Sequence, residues 1–166
     1  MLESDRLRLT PLCLDELMAI DSGAMDTVDT PIEASALSGT VQSAIQKKIV
    51  KMRSTETALH DWFTYWLIVD KATGQGIGFI GFKGIEETGY VEVGYGISPN
   101  YRRQGLMSEA LQMLIGWAQQ HPGIKGVTAK HVLKTNIGSN GVLRHCGFEL
   151  ISSSDTENGY CYKFGI

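Results

Sequence analysis

The amino-acid sequence predicts an α/β domain: one sheet with both parallel and antiparallel strands, and helices on its faces. Three observations lead there. Between Tyr65 and Ile97, three apolar runs separated by short turn signals read as an antiparallel meander. A long amphipathic stretch then separates the third run from another strand-like segment at Val127–Val132, which is the pattern of a parallel crossover. Two further helical patterns precede the meander. The order β-α-α-β-β-β-α-β-α-β-β therefore gives a mixed sheet, an α+β arrangement, with the strands at Tyr90 and Val127 parallel and adjacent.

Each element has its own warrant. Leu7-Arg8-Leu9 alternates and ends at Pro11, as a short strand does. Leu14 to Ile20 has helical apolar spacing, with Asp15 and Glu16 where a helix start favours acid. A second helix runs from about Val41 to Met52 and turns Val41, Ala44, Ile45, Lys48, Ile49 and Met52 to one face. Gly23 to Ser38, between them, is polar and irregular. Tyr65–Val69, Gly76–Lys83 and Tyr90–Ile97 form the meander, joined by turns at Asp70–Gly74 and Glu86–Gly89. The long helix spans about Arg103 to Gln120, with Leu106, Ala110, Leu111, Leu114 and Ala118 as its apolar stripe, and stops at Pro122-Gly123. Val127–Val132 is a strand, Ile137–Cys146 the last helix, and Phe148–Ser152 with Tyr160–Phe164 a closing strand pair.

With 166 residues and 43% hydrophobic content, a single domain over 1–166 can bury a core without disulfides or metal. Fifteen basic against eighteen acidic residues leave a net charge of −3, which argues against a nucleic-acid partner. Cys13, Cys146 and Cys161 fit neither a disulfide framework nor a zinc pattern and suit a reducing compartment. His60, His121, His131 and His145 lack metal spacing, so no metal is expected. Met1–Thr10 has no apolar signal core, and no apolar run approaches the roughly 20 residues that span a bilayer. A cytoplasmic protein without a membrane partner is the expectation.

The segment that carries chemistry is Gly94 to Ala110: a strand, a turn with Pro99, then a basic, glycine-bearing entry to a helix. Helix N-termini leave N–H groups unpaired and carry about half a positive charge, which suits a pyrophosphate. Arg102 and Arg103 add charge and Gly105 permits close approach. A purely structural helix start is the competing reading. No P-loop pattern exists, and Gly76, Gly78 and Gly81 lie on strands, not at a strand-to-helix turn.

Arg102-Arg103-Gln104-Gly105-Leu106-Met107 resembles the [QR]-x-x-G-x-[GA] pyrophosphate loop of the GNAT superfamily of N-acetyltransferases, with Met107 where Gly or Ala is usual. Leu2 to Leu12, Glu92-Val-Gly-Tyr95, Ser108-Glu-Ala-Leu111, Asn136-Ile-Gly-Ser139 and Gly147-Phe148 are similar to segments of its RimJ- and RimL-like branch, which acetylates ribosomal-protein N-termini. The resemblance covers nearly the whole chain. It implies an acyl-CoA N-acyltransferase fold with a splayed central strand pair and acetyl-CoA as cosubstrate. It also implies direct transfer to a primary amine, without an acyl-enzyme.

By that resemblance the pantetheine arm would bond to backbone near Gly96, Ile97 and Ser98. The pyrophosphate would sit on the amides of Arg103, Gln104, Gly105, Leu106, Met107 and Ser108. Glu92 is the candidate base for an acceptor amine, against the reading of a solvent-facing strand glutamate. Many members place a tyrosine seven residues after the asparagine; here that residue is Leu143, so Ser139 becomes the candidate proton donor to the leaving thiolate. Asn136 is a helix cap, a cofactor contact, or both. Trp62, Phe63, Tyr65 and Trp66 pack in the core or wall the acceptor pocket. The acceptor is a peptide N-terminus or a small amine; a non-catalytic acyl-CoA-binding module is the reading from another class. A homodimer stays open.

Overall fold

From Tyr65 to Phe82 nearly every side chain outside the turn is buried, as in strands covered on both faces. The structure, a computed structural model, describes residues 1–165. Its eight strands are β1 (Leu2–Glu3), β2 (Leu7–Pro11), β3 (Tyr65–Asp70), β4 (Gln75–Ile85), β5 (Tyr90–Ile97), β6 (Gly126–Leu133), β7 (Glu149–Ser153) and β8 (Glu157–Lys163). They form one sheet in the order β1-β2-β3-β4-β5-β6-β8-β7. Every neighbouring pair is antiparallel except β5–β6, the parallel pair that the crossover requires.

The α-helices are α1 (Leu14–Ser22), α2 (Gly39–Arg53), α3 (Leu106–Gln119) and α4 (Ile137–His145). Two apolar clusters mark the faces of the sheet. On one, Leu106, Ala110, Leu111 and Leu114 of α3 and Leu143 of α4 meet Trp66, Phe82, Val91, Val93 and Val127. On the other, Leu17 of α1 and Val41, Ile45, Ile49 and Met52 of α2 meet Tyr65, Leu67 and Phe79.

Several boundaries differ from the sequence expectation, each for a local reason. The two-residue β1 precedes the strand read at Leu7 and pairs with it through Leu2–Leu9 and Glu3–Arg8. The segment 23–38 condenses into 3₁₀ turns at Met25–Thr27 and Ala34–Ala36, with a bridge from Ile32 to Gly76. α3 begins at Leu106, not near Arg103, because Arg103 (φ 62°) and Gly105 (φ 75°) are left-handed and cannot continue a helix. β8 starts at Glu157, three residues before the strand read at Tyr160, where the turn at Ser154 hands over to pairing with β7.

Candidate active site

β5 and β6 pair only through Tyr90–Glu92 and Gly126–Thr128, whereas β5 stays paired to β4 as far as Ile97. β6 turns away because its register with β8 shifts between Ala129 and Val132, where His131 is left-handed at φ 57°. A bulge of this kind adds twist and bends a strand. The second half of β5 therefore has a free edge. The Ser98 amide donates to the Ile77 carbonyl of β4 at 2.8 Å. Backbone groups alternate sides along a strand, so those of Ile97 and Tyr95 face the gap while those of Gly96 face β4.

This narrows the expectation for Gly96, Ile97 and Ser98. Ser98 is fully buried, and its hydroxyl lies 2.6 Å from Ser35 Oγ and donates to Glu33 at 3.3 Å. Its amide and hydroxyl are both taken, so among the three only Ile97 offers free backbone groups to a ligand.

At the end of β5, residues 102–105 are exposed and no acceptor among the described residues meets the amides of Arg103 to Ser108. The left-handed Arg103 and Gly105 shape this loop, and the start of α3 gives it a positive end. Met107, the odd residue of the motif, turns its side chain into the core. Glu109 would weaken such a site by placing an acid in the first turn. Arg6 answers it: Nε and Nη2 lie 2.9 and 2.8 Å from Glu109 Oε1, and Nη1 donates to the Gln104 carbonyl at 2.9 Å. Burial raises the Glu109 carboxyl, but hydrogen bonds from Ser4 and Arg6 outweigh this and hold it below the usual carboxylate range. Arg6 and Glu109 were not singled out from the sequence; nothing local marks a residue 103 positions away as a brace.

α4 brings Asn136 and Ser139 to the other side of the gap. Asn136 caps the helix, its Oδ1 accepting from the Ser139 amide at 3.0 Å. The Ser139 hydroxyl lies 2.8 Å from the Tyr95 hydroxyl, so the pair bridges β5 and α4. Burial pushes Tyr95 up to about 12, and the Ser139 bond only partly opposes it, so the phenol stays protonated. With Tyr95 as donor, the Ser139 O–H is released to donate elsewhere. Leu143, at the family's tyrosine position, is fully buried in the core. Asn140, missed by the sequence reading, holds α4 in place. Its amide donates to Leu133 and Asn136 carbonyls, and its Oδ1 accepts from Asn158 and Tyr160 at 3.0 and 2.6 Å.

Glu92 lies on the opposite face of β5 from Val91 and Val93, with Gly94 and Gly96. A Cβ at Gly94 would stand 3.4 Å from Lys83 and one at Gly96 3.0 Å from Val41. Glu92 is 17% exposed, so it is no solvent-facing residue, and its Oε2 accepts from Lys83 Nζ at 2.8 Å. Opposite it in register is Thr128, whose buried hydroxyl has no partner among the described residues. Beside Glu92 runs a solvent-open groove of about 650 Å³ between α2 and the sheet. α2 contributes Gly39, Thr40, Ser43, Ala44, Lys47, Lys48 and Lys51, one helical stripe, and the sheet side contributes Phe63, Tyr65, Lys83 and Gly94. The aromatic run is split: Trp62 and Trp66 pack against Trp117 in the core, while Phe63 and Tyr65 wall the groove, Tyr65 and Trp66 through alternation along β3.

The remaining candidates lie elsewhere. His131 is 78% exposed and pairs with Glu157 at 3.1 Å. Cys146 is buried against the Ser108 carbonyl, and burial raises its thiol, which suits packing rather than nucleophilic attack. No helix among the described residues is long and apolar enough to cross a membrane.

A parallel strand pair that opens beside an amide-lined loop, with a groove on the far face, defines an acyl-CoA-dependent transferase fold. Residues 6–149 match the model of the acetyltransferase (GNAT) domain, and the chain belongs to the GNAT acetyltransferase family, whose members use acetyl-CoA. It is 34% identical over 101 residues to YjdG of Bacillus subtilis (strain 168), described as an uncharacterized N-acetyltransferase; the match spans 60% of each chain. Among solved structures it resembles the Salmonella typhimurium acetyltransferase that modifies the N-terminal serine of 50S ribosomal subunit protein L7/L12. There the TM-score is 0.67 and the identity 19%, covering 98% of this chain and 97% of that one. It also resembles the microcin self-immunity acetyltransferase MccE in complex with acetyl-CoA and AMP, with TM-score 0.65 and 17% identity over 97% and 94% of the two chains. At these identities the likeness is one of fold.

Proposed function

We propose that this chain transfers the acetyl group of acetyl-CoA to the α-amine of a peptide or protein N-terminus. The observation that carries the reading is the groove. It is partly open to solvent, its wall includes Gly94 on the unpaired half of β5, and Glu92 lies two residues before Gly94 on the same face of that strand.

Acetyl-CoA supplies the activated acetyl group when bound. The free amides of Arg103 to Ser108 and the backbone of Ile97 and Tyr95 fit its diphosphate and its amide-bearing arm. An α-amine has an unperturbed pKa of about 7.7–8.0, against about 10.4 for lysine, so its neutral form is accessible near neutral pH. Glu92, on the groove side, takes the proton directly or through a water. Ser139, across the gap, donates to the departing sulfur with its orientation set by Tyr95 and Asn136.

The test is release of free CoA thiol with Ser- and Ala-starting peptides, an N-blocked lysine peptide, spermidine, single amino acids and an aminoglycoside. Turnover of the unblocked peptides is expected, and Glu92→Gln or Ser139→Ala should each lower kcat by about a hundredfold or more. Turnover confined to the blocked lysine peptide or to spermidine overturns the α-amine reading. No release by protein that binds acetyl-CoA identifies a non-catalytic acyl-CoA module instead.

A further inference from the structure

The charge of the groove runs against that of the molecule. The whole chain carries a net −3, yet four lysines line the groove and no carboxylate does. Glu92, beside it, is already paired to Lys83. Lys47 and Lys51 are four residues apart on exposed helix surface, have no acidic partner among the described residues, and repel each other. Lys48 lies between them at the base of the groove, its Nζ donating to the Phe63 and Phe82 carbonyls and 4.6 Å over the Tyr65 ring. Lys47 and Lys51, like charges without a counter-charge, cost stability, and a concave wall concentrates their field on whatever enters. These lysines surround the groove near Glu92, not the amide loop at the far end of β5, so the cofactor's phosphates do not account for them.

We propose that this groove selects acceptors whose residues next to the reacting amine are acidic: a peptide N-terminus followed by aspartate or glutamate. The inference rests on reading the groove as the acceptor site, and it excludes the polycations that other amine acetyltransferases could take. Each exposed ion pair contributes up to about fivefold, so two or three together give about tenfold or more, reduced by salt.

Two measurements separate this inference from the reading beneath it. The first is kcat/KM at saturating acetyl-CoA for peptides beginning Ser-Glu-Glu-Glu, Ser-Gln-Gln-Gln and Ser-Lys-Lys-Lys. The second is binding of the same peptides, fluorescently labelled at the C-terminus, to CoA-bound protein, with no turnover required. The acidic peptide is expected to lead the basic one by about tenfold in both, with the gap shrinking in high salt. Lys47→Gln with Lys51→Gln should bring the peptides within about threefold of each other, and Lys47→Glu with Lys51→Glu should reverse their order. The milder pair guards against misfolding of the charge-reversed one. Equal turnover of acidic and basic peptides overturns the inference and leaves the N-terminal reading intact. Selective binding of the acidic peptide without CoA release does the opposite. Binding that ignores peptide charge, or selectivity unmoved by both lysine variants, also overturns it.

Discussion

At Lys48 two physical demands meet in one side chain. The residue lies on the apolar face of α2 between Ile45 and Ile49, and it is 6% exposed. An ammonium there loses water and sees Lys83 and Lys51, with no carboxylate bonded to it. Burial, then repulsion from those two lysines, lowers its pKa from 10.5 to about 7. A neutral amine has two N–H donors, enough for the Phe63 and Phe82 carbonyls. The linkage has a definite sign. Above pH 10.5 the side chain is neutral in both states, and below 7 it is charged in both. Between these values the unfolded chain binds the extra proton, so stability rises with pH and is lost as pH falls toward 7. Urea unfolding of wild type and Lys48→Met across pH 6 to 10 should show the wild type gaining on the variant by up to about 1.4 kcal/mol per pH unit above pH 7. A constant difference would mean that Lys48 titrates as it does in water.

Among the elements, α4 shows how a side-chain network fixes a catalytic candidate. Its first turn is exposed and it has few apolar anchors, with Leu143 the fully buried one. Asn140 makes up the deficit by spending both ends of its amide on Leu133, Asn136, Asn158 and Tyr160. Asn140→Ala would leave two buried donors, the Tyr160 hydroxyl and the Asn158 amide, competing for nothing. A loss of about 2–4 kcal/mol in urea unfolding is expected, and a change within about 0.5 kcal/mol would show that α4 is held by packing alone. Periodicity and turn residues made the elements legible in the sequence, because those signals are local. The loop at Arg102–Ser108 and the pair Asn136 and Ser139 entered as candidates through the family resemblance of their segments. The start of α3 was misplaced because a non-glycine left-handed residue, Arg103, carries no sequence mark. The groove was hidden for a different reason: its lysines converge from α2 and β4, and only Lys48, out of pattern on an apolar face, hinted at it. The splay of β5 from β6 was expected from the family resemblance, but the bulge at His131 that produces it gave no local sign, since it depends on pairing with β8.

On the scale of the whole molecule, the proposed cofactor site is assembled from segments that only the folded chain brings together. The free edge of β5, the amide loop before α3 and the start of α4 come from three separate stretches. The unfolded chain has no such arrangement, so acetyl-CoA is expected to bind the folded state alone and to stabilise it by mass action. At about 100 times its dissociation constant the gain is about 2.7 kcal/mol. For a domain of this size each kcal/mol moves Tm by about 2–4 °C, giving a rise of about 5–10 °C. ADP makes the distinction between parts of the site: it reaches the amide loop but has no arm to pair with Ile97 and Tyr95. It should therefore bind more weakly and shift Tm less than acetyl-CoA at equal concentration. Equal shifts would assign all the binding to the loop and leave the opening between β5 and β6 without a role. No shift with either ligand would remove the cofactor from this site altogether.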